Sequence, residues 1–460
     1  MVTVTQPEIS KITAESLGSQ QFKEDYGIRY AYITGSMYKG IASTDLVIAM
    51  GRAGMIGYLG TGGLKYAEVE AAIDTIQSAL SDGQAYGLNL LYGLDDADAE
   101  SKLVELYLKR GVHYLEASAY MSVTPALVRF CLSGLERAAD GSIKANNHIL
   151  AKVSRPEVAK MFMSPAPEAM VNALLKAGHI TQEQAELGKQ VPLSNEVCVE
   201  ADSGGHTDQG IAYALMPAMQ SLRNELVRQH DYKTPIRIGA AGGIGTPESA
   251  AAAFVMGADF VLTGSINQCT VEAGMSDAVK DLLQDINVQD TDYAPAGDMF
   301  EIGARVQVMK KGVFFPARGN KLFALYQQHN SLEELDEKTR KMIQEKYFKR
   351  SFADVWKETE AYYAKARPRE LEKAQKSPKY KMAMIFKWYF IHSARLARSG
   401  SSEQKVDYQV HTGPALGAFN QWVKGTELES WRKRHVADIA ERLMQGTAEV
   451  LKQRFQQFAQ

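Results

Sequence analysis

The sequence predicts a (β/α)8 TIM barrel carrying a helical insertion and a mostly helical C-terminal subdomain. Three observations predict it. Short apolar runs alternate eight times with segments of amphipathic-helix length between residues 30 and 265. Residue types with chemical uses fall just after those runs, at the strand ends where this fold carries its sites. The last two runs are each followed by a glycine turn, within PIRIGAAGGIGTPESAAAAFVMGADFVLTGS at 235–265. A doubly wound open sheet is the alternative that the same alternation allows.

Residues 1–29 are polar and aperiodic and read as an N-terminal arm on the surface. Strands are expected near 30–34, 55–59, 85–91, 112–116, 148–153, 196–201, 235–239 and 259–263, with crossover helices such as 66–80 and 99–110 between them. Residues 163–192 interrupt the alternation with a helical insertion longer than a usual βα loop, a lid or a docking surface. In the seventh unit Thr246 N-caps a helix with Pro247 at its first position, and Gly257 closes it. The barrel is therefore placed at 30–270. Residues 271–460 read as a mostly helical subdomain over or beside the barrel mouth: 331–376 is charged and helical, 380–396 is an aromatic helix, and a last helix runs to the terminus.

Lys and Arg total 52 against 54 Asp and Glu, so a net charge of −2 gives no footprint for nucleic acid or an anionic membrane. Cys131, Cys198 and Cys269 have no metal-ligand spacing and fit free core thiols in a reducing cytoplasm, and no metal site is expected. The first residues lack the apolar run of a signal peptide, and the most apolar late stretch, 382–391, is about half the ~20 residues that a membrane helix needs. The expectation is a soluble cytoplasmic protein, with a homodimer admitted.

The chemistry is expected at the strand ends. Gly35, Ser36 and Met37 follow the first strand, Asn89 lies near the end of the third and Lys152 ends the fifth. Asp202, Ser203, Gly204, Gly205 and His206 follow the sixth, and Gly242, Gly243, Gly264 and Ser265 make the turns after the last two. Glycine loops ahead of a helix N-terminus let backbone N–H groups approach an anion, and the helix dipole adds partial positive charge there. A glycine pair taken alone is only a tight turn; two turns around one intact strand–helix–strand unit are how a barrel holds a phosphate. A flavin mononucleotide (FMN) fits this layout. The Asn89 amide can both donate to and accept from a pyrimidine edge, or simply stitch loops. A cation at Lys152 stabilises a reduced flavin unless it is merely solvated. His206 suits proton delivery near neutral pH, and serves equally as a structural hydrogen-bonder.

The runs GSM, AGMIGYLGTGGL, YGLNLL, EADSGGHTD, AAGGIG and MGADFVLTGS resemble the flavin-dependent enoyl-acyl carrier protein reductases and nitronate monooxygenases over about 30–325. DYAPAGDMFEIGARVQVMKKGVFFPARGNKLFALY, KRSFADVWKET and DYQVHTGPALGAFNQWVKGT extend the resemblance, to the PfaD-type trans-acting enoyl reductases of polyketide and polyunsaturated fatty acid synthesis. This resemblance implies FMN on Gly242, Gly243, Gly264 and Ser265 with Asn89 and Lys152 near its ring, His206 as the active-site histidine, NADPH or NADH as hydride donor, and an acyl carrier protein as partner. Asp202-Ser203 stands where Glu-Ala is usual in the shorter reductases. Lys310, Lys311, Arg318 and Lys321 form a basic cluster suited to an acidic carrier protein, or a solvated rim. The competing function is oxidation of small nitronates on the same flavin site; a catalytically silent flavoprotein that organises a synthase complex is a third.

Overall fold

The structure, a computed structural model, describes Ile9, residues 11–93 and residues 97–459. Thirteen strands are present among them: β1 (Tyr32–Thr34), β2 (Ile56–Leu59), β3 (Gly87–Leu91), β4 (Tyr114–Ser118), β5 (Leu135–Arg137), β6 (Ile143–Ala145), β7 (His148–Val153), β8 (Glu196–Glu200), β9 (Gly205–His206), β10 (Arg237–Ala241), β11 (Val261–Thr263), β12 (Thr291–Pro295) and β13 (Arg305–Met309). Eight of them close a barrel in the order β1-β11-β10-β8-β7-β4-β3-β2, every pairing parallel. All eight expected strands are there. Five of the eight start two residues later than expected (β1, β3, β4, β10 and β11), because the first residues of each apolar run lead into the strand without joining the ladder.

The chain forms two compact units. The first comprises the chain up to Asp202, Asp208–Gly274 and the chain from Gln421 onward; the second comprises Ser203–Thr207 and Met275–Asn420.

In the first unit, residues 20–29 are no surface arm. Ser19 accepts a hydrogen bond from Phe22 N and caps the helix Gln20–Tyr26, which Gly27 ends at a φ of 61°. Phe22 and Tyr26, four apart and so on one helical face, are buried and stack on Phe260 and Tyr114, with ring centroids 4.6 Å apart in each case. Those partners lie at the starts of strands, so this helix plugs the barrel end opposite the glycine turns. Arg237 at the start of β10 is buried there, pairing with buried Glu196 and, at 2.7 Å, with Asp25 of the plug helix.

The insertion is helical as expected, with helices Glu168–Lys176 and Gln182–Leu187. It is packed down rather than free: Val171, Leu174, Ala185 and Leu187 are buried, and Gln184 Nε2 donates to Ser133 O at 3.0 Å. The hairpin β5–β6 was not expected, although Asp140-Gly141 at its turn is a hairpin signal. Residues 421–460, expected in the C-terminal subdomain, belong to the barrel unit. Their helix Val436–Phe458 approaches the helix Pro247–Val255 so closely that a Cβ on Gly446 would lie 2.7 Å from Pro247 Cγ.

The second unit is mostly helical around the helix Pro378–Ser399. Phe300, Phe315, Phe348, Phe386, Tyr389 and Phe390 form its aromatic core. It also holds a three-stranded antiparallel sheet, β12-β13-β9, which aperiodic, aromatic sequence hid. Among the described residues no helix is long and apolar enough to cross a membrane.

Candidate active site

At the C-terminal end of the barrel the structure brings Ser36, Asn89 and Lys152 together through Glu116, which the sequence reading missed. Glu116 lies on β4, opposite Asn89 of β3 in register, and is fully buried. Ser36 N and Oγ donate to its carboxylate at 2.9 and 2.6 Å, Ser118 Oγ donates at 2.9 Å, and Lys152 Nζ lies 3.6 Å away. A second missed carboxylate, Glu200 at the end of β8, stands 3.5 Å from Lys152 on its other side. The signal was present: YLEAS and VCVEAD each carry an acid inside an apolar strand.

Lys152 is 14% exposed. Burial by itself pushes the ammonium pKa down, but the carboxylates of Glu200 and Glu116 outweigh burial and hold it above its ordinary value. The lysine is therefore permanently charged, and paired rather than solvated. Cys198, beside it in register on β8, is shifted the same way: burial and the Glu200 charge push its thiol pKa up.

Asn89 is buried, and its amide nitrogen is committed. Nδ2 donates to Glu116 O at 3.1 Å and to Ser118 Oγ at 2.9 Å, while the main-chain carbonyl of Asn89 accepts from Thr61 Oγ1 and Tyr107 OH at 2.6 and 3.0 Å. In this structure the Nδ2 hydrogens serve β4, the stitching role that the sequence also allowed.

The turn after β1 is held by its neighbours. Gly35 N donates to Thr263 O at 3.0 Å, and a Cβ on Gly60 would sit 1.6 Å from Met37 O, so the loops after β1 and β2 touch backbone to backbone. After β10, Gly242 and Gly243 both take positive φ, 87° and 72°. A Cβ on Gly242 would lie 2.6 Å from Ala201 O and 2.9 Å from Asp202 O, whereas one on Gly243 would meet nothing within 4 Å. Thr246 and Ser249 form a capping box at the N-terminus of the helix Pro247–Val255 that follows. After β11, Gly264 also has open space where a Cβ would be, and Ser265 begins a short 3₁₀ turn. The two turns thus leave an open cradle beside a capped helix N-terminus.

The chain leaves the barrel unit after Asp202 and returns at Asp208. Asp202 N donates to Gly210 O at 2.8 Å, and Asp208 is held by Arg155 through Nε and Nη2 at 2.9 and 2.7 Å. Ser203, Gly204, Gly205 and His206 between them belong to the second unit. There Gly204 has no room for a side chain, since a Cβ would lie 2.6 Å from Thr412 C, and Gly205 takes a φ of 89°. Gly205 and His206 form β9, paired with Gln307 and Val306 of β13.

His206 Nε2 is 2.9 Å from Asp298 Oδ1, and the two side chains are 45% and 64% exposed. Burial alone raises the Asp298 pKa, yet its hydrogen bond to His206 and the charge there bring it below the usual value. His411 meets the His206 ring edge to face, with centroids 6.4 Å apart, and accepts at Nε2 from Gln409 Nε2 at 2.7 Å. Burial, together with the charge of His206, pushes the His411 pKa down to about 4, against an opposing pull from Asp298. At neutral pH, His411 is an uncharged support. Asp298 and His411 were missed as site residues, though both lie in runs the sequence reading singled out, YAPAGDMFE and DYQVHTGPALG.

Of the basic cluster, Lys310 and Lys321 are exposed, but Arg318 is turned inward to the buried Asp407 and Lys311 lies 3.7 Å from Asp290. A cleft of about 600 Å³ lined by residues that include Glu15, Trp422, Arg442 and Lys452 holds none of the expected site residues. Among the described residues no group of three His, Cys, Asp or Glu could hold a metal.

These features define a (β/α)8 barrel whose C-terminal end combines glycine turns with a largely buried, charge-compensated lysine. The profile of the nitronate monooxygenase family matches residues 20–311, and that of the inserted helical domain of acyl-carrier-protein S-malonyltransferase matches 329–408. The chain is 58% identical to the polyketide biosynthesis protein PksE of Bacillus subtilis (strain 168) over 98% of its own length and 58% of that protein's. It is 43% identical to a polyunsaturated fatty acid synthase component of a Thraustochytrium species over 93% of its own length and 28% of that protein's. The chain thus spans little more than half of one curated relative and under a third of the other. The crystal structure of the enoyl reductase domain of MlnA, from the macrolactin biosynthesis cluster of Bacillus amyloliquefaciens, superposes with a TM-score of 0.92 at 48% identity, covering 96% of this chain and 99% of that one. The chain belongs to the nitronate monooxygenase family, in its PfaD-type enoyl reductase branch.

Proposed function

We propose that this protein is a trans-acting enoyl reductase that uses FMN and NAD(P)H to reduce the α,β-double bond of enoyl thioesters on acyl carrier proteins, in polyketide or polyunsaturated fatty acid synthesis. The observation that carries the reading is the likeness, at 48% identity and nearly full coverage, to an enoyl reductase domain. The residues fit the cofactor: Gly243 and Gly264 leave open space for a phosphate beside the N-terminus of Pro247–Val255, and Lys152 supplies a fixed cation.

Gly242, Gly243, Gly264 and Ser265 are assigned to the phosphate, and Gly35, Ser36, Met37, Asn89, Lys152, Asp202, Ser203, Gly204 and Gly205 to cofactor binding more generally. FMN, when bound, supplies hydride transfer from NAD(P)H to the β-carbon of the enoyl group. His206 supplies the proton for the α-carbon. Asp298 orients the ring through Nε2, and His411 holds it from the side without adding charge.

The test separates the two half-reactions. In His206→Ala, anaerobic flavin reduction by NADPH stays within a few-fold of normal, while reoxidation by an enoyl thioester slows by roughly 10²–10⁴. Normal reoxidation removes His206 from the reaction. The family profile over 20–311 favours a second reading, oxidation of nitronates. Rapid oxygen-dependent turnover of a nitronate, with no turnover of the carrier-bound enoyl group, selects it.

A further inference from the structure

Taking a carboxylate out of water costs several kcal/mol unless it is paired and hydrogen-bonded. Glu116, fully buried, meets that demand with donors from four elements: Ser36 from the turn after β1, Asn89 Nδ2 at 3.4 Å from β3, Ser118 from β4 and Lys152 from β7. Lys152 in turn is shared with Glu200. With both acids as carboxylates, one ammonium stands between two negative charges, so the triad carries a formal charge of −1.

We infer that Glu116 is the positioning residue of the cofactor site: it acts through Lys152, compensating the ammonium and fixing its place, and through Ser36 it ties the turn after β1 to the same anchor. This rests on the reading that the barrel binds FMN. A lysine compensated twice over tunes the site less than a lone cation would. Removing one acid unmasks it, and reduced flavin, which carries more negative charge than oxidised flavin, is then favoured.

Glu116→Gln is close to isosteric, keeps an acceptor oxygen and removes the charge. The ratio of the dissociation constants for oxidised and reduced FMN shifts about tenfold in favour of the reduced form, a rise of about 30 mV for a two-electron couple. FMN bound with an unchanged ratio, accompanied only by a lower melting temperature, overturns the inference. Failure of the unmodified protein to bind FMN sinks the flavin reading instead.

A second measurement uses the flavin-free protein. Lys152→Met strands the buried Glu116 carboxylate beside the partly exposed Glu200 and lowers the melting temperature, and adding Glu116→Gln recovers part of that loss. No recovery in the double variant overturns the inference. This comparison needs only Lys152→Met and the double variant, so it stands even where Glu116→Gln alone fails to accumulate.

Discussion

At the scale of single residues, the adjacent glycines after β10 do different work. Gly242 is fixed by its own protein, since any side chain would strike the backbone at Ala201 and Asp202. Gly243 faces open space, so only its φ of 72°, which Asp tolerates better than most residues, constrains it from within. Gly243→Asp therefore leaves the flavin-free melting temperature within a few degrees while sharply lowering bound flavin, because a carboxylate now occupies the place assigned to the phosphate. Gly242→Ala lowers both. Absorbance of bound flavin and thermal melts read the two effects apart, and full flavin content in Gly243→Asp removes the phosphate assignment. The turns were legible because glycine is the one residue whose backbone freedom shows in its letter. Glu116 was not, because a buried acid in YLEAS is understood only when partners 80 residues upstream and 36 residues downstream are seen around it.

At the scale of elements, the barrel strands were legible and the plug was not. A run rich in Gln, Lys, Glu and Asp reads as surface, and a helix of seven residues is too short to stand alone in water. Its cap at Ser19, its stop at Gly27 and the Phe22/Tyr26 pair were nevertheless present, and tertiary packing against strand starts does the rest. The plug's ionic link sets a further expectation. Arg237→Met leaves Glu196 buried without its cation and costs about 3–5 kcal/mol. Replacing both, Arg237→Met with Glu196→Leu, costs clearly less, since no charge is then stranded. Denaturant titration of the two variants decides it, and equal losses would show that the pair matters only as packing.

At the scale of the whole molecule, sequence order misassigns the last 40 residues, because position after a helical segment says nothing about which core a helix enters. The helix Val436–Phe458 buries Val436, Ile439, Leu443, Met444 and Leu451 within the barrel unit. At about 2 kcal/mol for each such side chain, these account for on the order of 10 kcal/mol, the size of a domain's net stability. The helix also lies against Pro247–Val255, whose N-terminus borders the glycine cradle, and it spends a glycine, Gly446, on that approach. A chain ending at Asn420, which the barrel limits of 30–270 would leave intact, should therefore lose both its cooperative melt and its flavin. Gly446→Leu in the full chain should do so in part, lowering the melting temperature by several degrees and weakening flavin retention with every proposed cofactor residue in place. A truncated chain that melts normally and keeps its flavin would show that the barrel closes without this helix. Lowered stability with normal flavin affinity in Gly446→Leu would separate the helix's packing from the cradle it borders.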